Sequence, residues 1–412
     1  MTTYTPYPSV SFNGVTYGDE TLSSISVTMG RRDIMEQPQP GYASINLITD
    51  ADTPLSVELS QPVLVKIKDT NGIDQTIFGG TVSDIDISLD QYGSIGSIAQ
   101  YSITAVGALA QLNRRTAGGS NYAKEFEGTR IFNILSEVFL TAWDDLAPTL
   151  TWAQLPALAT WDSFDGVAEA VVANLVTDID QPGQFELEAY NDGETLALGL
   201  VQIAAQSGRG VLYESATGEL FYDDYVSRSL ETALPLTDAD INSQGLRTAA
   251  QWSEIVNDAS VTYRAGTENF SDGTSIFLYG QQSGTRDTVL HNAADALQQA
   301  EDFVASRAYP RMYPETISLP LHTPTMGNAT RNALIAAHVS TLISTGDLPA
   351  VFGTTFQGYV EGINWQLTRY TADLTLTLST QTETYPNLNW FQIPVTTTWA
   401  GYTPNTDEWQ DL

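Results

Sequence analysis

From Val10 to about Leu112, apolar residues recur at nearly every second position in short runs, a period that lays down strands with one buried and one wet face. Leu22, Ile25, Val27 and Met29 make one run, Val63, Val65 and Ile67 a second, Ile85, Ile87 and Leu89 a third, and Ile103 and Ala105 a fourth. Asn71-Gly72 lies between two runs and marks a tight hairpin, because both residues tolerate positive φ. Gly79-Gly80 punctuates the next strand. The pattern predicts a small barrel or sandwich.

The period changes near Tyr122. Thr129 is placed to cap a helix with Ile131, Ile134, Leu135, Val138 and Phe139 on one face, and a Pro- and Trp-containing stretch at 148–161 interrupts the helical period. Thr195 is placed to cap a second helix, with Leu196, Leu200, Ile203 and Ala204 inward and Gly208 at its end. Two apolar triplets, Val211-Leu212-Tyr213 and Leu220-Phe221-Tyr222, flank Ala216-Thr217-Gly218 as a hairpin. Strands are predicted again around Ile255 to Tyr263, at 276–279, at 359–367 and at 374–378. Helices are predicted from Asn292, with Leu297, Ala300, Phe303 and Val304 inward, and over 328–343.

One long-range echo constrains the architecture. Gly80, Val82, Ile85, Ile87 and Leu89 match Gly358, Val360, Ile363, Trp365 and Leu367, each pair 278 positions apart, with Phe78 and Phe356 ahead of the two glycines. The two residues between Val82 and Ile85, and between Val360 and Ile363, in an otherwise alternating pattern are what a bulge at a bend produces. Any two amphipathic strands share some pattern, so coincidence is the competing explanation. The alternative is a duplicated barrel interrupted by an insertion, and a trimer of such a chain presents six similar units in a ring.

Composition removes several function classes. Seventeen Lys and Arg against 49 Asp and Glu leave a net charge of −32, which opposes stable nucleic-acid binding and charge-driven binding to anionic membranes. There is no Cys, and His291, His322 and His338 show no metal-ligand spacing, so no catalytic, cofactor or metal residue is assigned. Neither a Gly-x-Ser-x-Gly elbow nor a common phosphate loop occurs. Acidic pairs such as Asp144/Asp145, Asp162/Asp165 and Asp223/Asp224 are expected by number alone. The stretches 162–166 and 191–194 read as turns rather than calcium loops. The N-terminus has no secretory signal, and no run of about 18 apolar residues occurs.

Three stretches together resemble the tail-hub family of tailed bacteriophages, also called baseplate hub or tail-tip minor tail proteins. They are Ile77-Phe78-Gly79-Gly80-Thr81-Val82-Ser83-Asp84-Ile85 running on to Gly107-Ala108-Leu109-Ala110-Gln111-Leu112, then Leu200 through Ala205 to Gly210, Tyr213 and Gly218-Glu219-Leu220-Phe221, and last Arg307-Ala308-Tyr309-Pro310 ahead of Gly358-Tyr359-Val360-Glu361-Gly362-Ile363. The match spans about residues 8 to 382, and its specificity lies in the order of the motifs. It implies a β-rich α+β chain: a first β-barrel hub domain at 1–115, an inserted α+β domain at 116–244 and a second β-barrel hub domain with a helical insertion at 245–384. An extended aromatic arm occupies 385–412.

The resemblance further implies a homotrimeric, pseudo-sixfold ring at the distal end of the virion tail, made and assembled in the host cytoplasm. Its partners would be distal tail or tail-tube proteins on one side and tail-tip, spike or fibre proteins on the other, with a tape-measure protein as a further candidate. Viral DNA would pass without stable binding. No enzymatic activity and no cofactor are implied. Trp390, Phe391, Trp399, Tyr402 and Trp409 would form the docking arm, either on a neighbour or back on the chain itself. The acidic balance would line the lumen or solvate the outside. A receptor-binding adhesin and a host-polysaccharide hydrolase are the alternatives from other classes.

Overall fold

The computed structural model describes residues 4–18, 21–50, 52–91, 98–139, 179–237, 240–241, 247–248, 252–346, 348 and 355–381. Thirteen strands from both ends of the chain form one sheet: β1 (Ser9–Phe12), β2 (Val15–Tyr17), β3 (Leu22–Gly30), β4 (Gln39–Asp50), β5 (Pro62–Lys68), β6 (Asp74–Gln91), β7 (Ile98–Val106), β8 (Leu234–Leu236), β9 (Arg247–Thr248), β10 (Pro314–Pro320), β11 (Leu342–Gly346), β12 (Thr355–Thr368) and β13 (Ala372–Thr380). Their order is β9-β10-β13-β12-β3-β4-β7-β6-β5-β1-β2, with β11 pairing β12 off this path and β8 pairing β11.

Alternation sets the faces. In β4, Ala43, Ile45 and Leu47 are buried while Tyr42 and Ile48 are exposed, and β5 buries Val63, Val65 and Ile67. Gly72, at φ 81°, makes the β5–β6 turn that Asn71-Gly72 predicted. One hydrophobic core joins both β regions, from Val10 and Phe12 to Trp365 and Leu378. Each fully buried Val, Leu, Ile, Phe or Met side chain there contributes about 1.5–3 kcal/mol.

The sequence predicts two related β-barrel domains around an α+β insertion. The two β regions share one sheet through the β3–β12 pairing, and among the described residues that sheet does not close on itself.

A second core belongs to the inserted α+β region. Helix Glu127–Phe139 buries Ile131, Ile134, Leu135 and Val138 against helix Ala197–Ser207 and the hairpin of Val211–Glu214 and Leu220–Asp223. Helix Ala293–Arg307 and the small sheet of Asp258–Tyr263, Gly266–Ser271 and Ser283–Arg286 contribute to this same core through Ala259, Val261, Ala300 and Val304.

Several local expectations are corrected. The segment predicted as a strand at 276–279 is the end of helix Gly273–Tyr279, because the Asp272 carboxylate accepts from Thr274 N and Ser275 N and so fixes a helix start. The helix predicted over 328–343 stops at Ile335; Ser340 takes a positive φ of 84°, and the next apolar residues pair with β12 as β11. Thr195 and Leu196 form a short strand against Thr116–Ala117, so helix Ala197–Ser207 starts without a side-chain cap and Leu196 is exposed. The first predicted helix starts at Glu127, which leaves Thr129 inside its first turn, and Leu297 is 37% exposed rather than inward.

Candidate functional site

The echoed motif occupies β6 and β12, and the two strands are built alike. Against β7, the register of β6 shifts between Val82 and Asp84; against β13, the register of β12 shifts between Val360 and Gly362, the same positions 278 residues on. Val82 pairs with Ala105 and Ile85 with Ile103, as Val360 pairs with Leu378 and Ile363 with Leu376. Ahead of each bulge, Phe78 and Phe356 fold back over the glycines. A Cβ on Gly80 would meet the Phe78 ring and the Val106 carbonyl, and one on Gly358 would meet the Phe356 ring and the Ser379 carbonyl. Glycine is required at both positions because a ring and a strand carbonyl already fill the space of a side chain.

The first half of each long strand pairs with a neighbour on the edge away from β7 or β13: β5 for β6, β11 for β12. Beyond the bulge, that same edge of β12 pairs with β3 over Gly362–Thr368, opposite Gly30–Ser24. Asn364 Nδ2 donates to Thr28 Oγ1 at 2.8 Å, and Gln366 Nε2 donates to Ser26 Oγ at 2.7 Å across this joint. The corresponding edge of β6, from Asp84 to Leu89, has no strand on it among the described residues. Burial tracks the difference: Ile87 and Leu89 are 55% and 48% exposed, whereas Trp365 and Leu367 are 2% and 1% exposed.

Below the joint lies a buried ion triad. Glu361, within the β12 bulge, accepts from Arg31 at the end of β3 and from Arg228 of the inserted region, and Ser379 Oγ donates to it as well. Burial alone would raise the Glu361 carboxyl, but Arg228 and Arg31 hold it down to about 2. Arg228 also lies over the Tyr359 ring, 4.6 Å from its centroid. Three pieces of chain distant in sequence thus meet at one carboxylate.

Three other carboxylates, of Glu127 and Glu214, which are buried, and of the half-buried Asp223, go the opposite way. Burial pushes Glu214 up to about 7, against N–H donors from Leu109 and Gly41, and it docks the inserted hairpin on the first β region. Burial likewise pushes Glu127 up to about 7 and Asp223 up to about 6. Gly41 and Gly107 leave the space that the Glu214 carboxylate fills.

On the face of the sheet away from the core, the central strands carry mostly polar residues, with Tyr42, Ile48 and Ile98 among them, and β5 adds Lys66 and Lys68. Ser26 and Thr28 on β3, Ser102 and Thr104 on β7, and Asn364 and Gln366 on β12 point to that side, with Asp84 and Asp86 on β6 and Asp373 on β13. None of these outward positions, nor Ser44, Asn46, Ser88, Gln100, Thr375 or Thr377 between them, is Lys or Arg.

The remaining candidates have plain placements. Gly80, Val82 and Ile85 lie in β6 with Ile87 and Leu89, and Gly358, Val360, Ile363, Trp365 and Leu367 lie in β12. The arm residues Trp390, Phe391, Trp399, Tyr402 and Trp409 lie outside the described residues, as do Asp144, Asp145 and the stretch 162–166. His291 pairs with Glu188, and His338 stacks on Tyr213. Among the described residues no group of three or more His, Asp or Glu is placed to hold a metal ion, and no helix is long and apolar enough to cross a membrane. The ion triad left no trace in the sequence pattern, since three single charges far apart carry no period.

The fold is one found in phage tail proteins. The chain is similar to the 43 kDa tail protein of prophage MuSo2 from Shewanella oneidensis, with a TM-score of 0.56 and 12% identity over 92% of this chain and 98% of the other. It is similar to the same extent to a tail protein from Neisseria meningitidis MC58, with a TM-score of 0.56 and 13% identity over 92% and 98%. No family model matches the sequence, and no curated protein matches it.

Proposed function

We propose that this chain is a structural tail-hub protein of a phage particle. Three copies form a pseudo-sixfold ring at the distal end of the tail, between the sixfold tail tube or distal tail ring and the threefold tip, spike or fibre proteins. The observation that carries this reading is an internal repeat: one chain supplies two bulged strand pairs of the same register, β6 with β7 and β12 with β13, in one sheet with β3 and β4 between them. Two like units per chain and three chains reconcile a sixfold neighbour with a threefold one. Likeness of fold to phage tail proteins supports the setting.

In this ring the polar sheet face lines the lumen. Over the central strands this wall is mostly Ser, Thr, Asn, Gln and Asp, so phosphates find few partners beyond Lys66 and Lys68 of β5, and DNA slides past instead of being held. The chain acts by geometry alone, with no catalytic group, no cofactor and no metal in the role. The aromatic residues of 385–412 dock on a neighbouring tail protein.

Deleting the gene from a phage genome that carries it tests the reading. A hub predicts particles without complete tails by electron microscopy. Intact but non-infective particles would indicate an adhesin instead, and release of soluble fragments from host wall polymers by the purified protein would indicate a hydrolase.

A further inference from the structure

Three neighbouring strands give the inserted hairpin a seat made of missing side chains. Gly41 in β4, Gly107 just after β7 and Gly79 in β6 form the track, and the hairpin of Val211–Glu214 and Leu220–Asp223 fills it. A Cβ on Gly41 or Gly107 would meet the Glu214 carboxylate, and one on Gly79 would meet the Thr217 carbonyl at the hairpin tip. The matching positions of the second half, Gln357 and Thr380, carry side chains, so the seat belongs to the first half alone.

Both cores close on this hairpin. Val211 and Tyr213 belong to the sheet core, while Leu212, Leu220 and Tyr222 belong to the core of the inserted region. Glu214 is the polar anchor between them. Gly41 N donates to its Oε2 at 2.9 Å and Leu109 N to its Oε1 at 2.5 Å, so both carboxylate oxygens are engaged by backbone of the first β region.

We infer that the hairpin is a latch governed by the charge of Glu214: with the carboxyl neutral it stays seated in the glycine track, and on ionisation the seat opens locally and loosens the inserted region from the first β region. The groups around the carboxyl explain why charge is the control. β3 brings Met29, β6 brings Ile77 and β12 brings Ile363 and Trp365, none of which titrates. The titratable neighbours are His338, on the segment after helix Asn328–Ile335, and Tyr213, on which His338 stacks. No Arg or Lys stands among the described residues lining this cavity. Ionisation there strips a charge of water with two N–H groups in exchange, and burial pushes the seated carboxyl up to about 7 from 4.5. The seated form thus binds the proton more tightly, so the latch is firm below 4.5 and weakens as pH rises to about 7. It is a property of the single chain and does not depend on the ring.

Amide hydrogen exchange of the purified full chain, read over 38–47 and 105–113 and corrected for the intrinsic rate at each pH, tests the latch. Protection of Gly41 and Leu109 is expected to fall on the order of fiftyfold between pH 5 and pH 7.5, while protection over 372–378 of β13 changes far less. Glu214→Gln, which cannot ionise, is expected to remove most of that fall. Gly107→Ala drives a methyl group into the seat and is an independent way to unseat the hairpin; low protection at both pH values is expected there. Equal protection at the two pH values in the parent chain, a fall shared equally by β13, or a fall that persists in either variant would overturn the latch.

Discussion

Arg31 donates from Nε to Glu361 Oε2 at 2.6 Å, a contact that spans 330 positions of sequence and ties the end of β3 to the bulge of β12. Arg228 donates to the other oxygen of the same carboxylate. The β3–β12 pairing, the bulge and the inserted region are thereby fixed to one buried point.

Removing Glu361 leaves two buried guanidinium groups facing each other, and breaking a buried pair in this way costs about 3–5 kcal/mol. Glu361→Ala is therefore expected to lower stability by about that amount in urea denaturation, more than either Arg31→Met or Arg228→Met alone. An unchanged midpoint would show that the triad is not formed in solution.

The two glycines ahead of the bulges are expected to respond alike. Gly80→Ala and Gly358→Ala each push a methyl group into a phenyl ring and a strand carbonyl, an overpacking that costs about 1–3 kcal/mol. Gly199, exposed inside helix Ala197–Ser207 with open space around it, is the control: Gly199→Ala is expected to stabilise by about 0.5–1 kcal/mol. Equal effects at all three sites would contradict the close packing at the duplicated glycines.

Stability should peak in mild acid. Glu127 and Glu214 titrate near 7 and Asp223 near 6 in the folded chain, above their unfolded values of 4.5 and 3.8, so the unfolded chain loses these protons first. Their contribution is complete below the unfolded values and is lost as pH rises from about 4 to 7. Glu361 runs the other way: held down to about 2, it contributes fully above 4.5 and its contribution is lost as pH falls toward 2. Melting temperature is expected to rise as pH drops from 8 to about 5 and to fall below about 4. Glu214→Gln should flatten the upper limb, and a profile that climbs steadily to pH 8 would contradict the buried carboxylates.

The matching bulges of β6 and β12 were legible because a bulge leaves a sequence trace. It moves the apolar period by one residue, and Val82 to Ile85 and Val360 to Ile363 both record that step. The hairpin at Asn71-Gly72 was legible for a similar reason, a backbone demand that few residues meet. What alternation cannot encode is which distant strand lies on an edge: Ser24 to Gly30 reads the same whether β12 or solvent is beside it. Hence the single shared sheet was not foreseen. Helix Gly273–Tyr279 escaped because Ile276, Phe277 and Tyr279 favour strands, and the cap from Asp272 decides the matter.

The central claim is that two like β units per chain assemble into a ring of three chains. Its most direct test is the native mass of the purified full chain, measured over a range of concentrations by sedimentation or native mass spectrometry. A species of three times the 44.7 kDa chain mass is expected. A single species of 44.7 kDa at every concentration would contradict it.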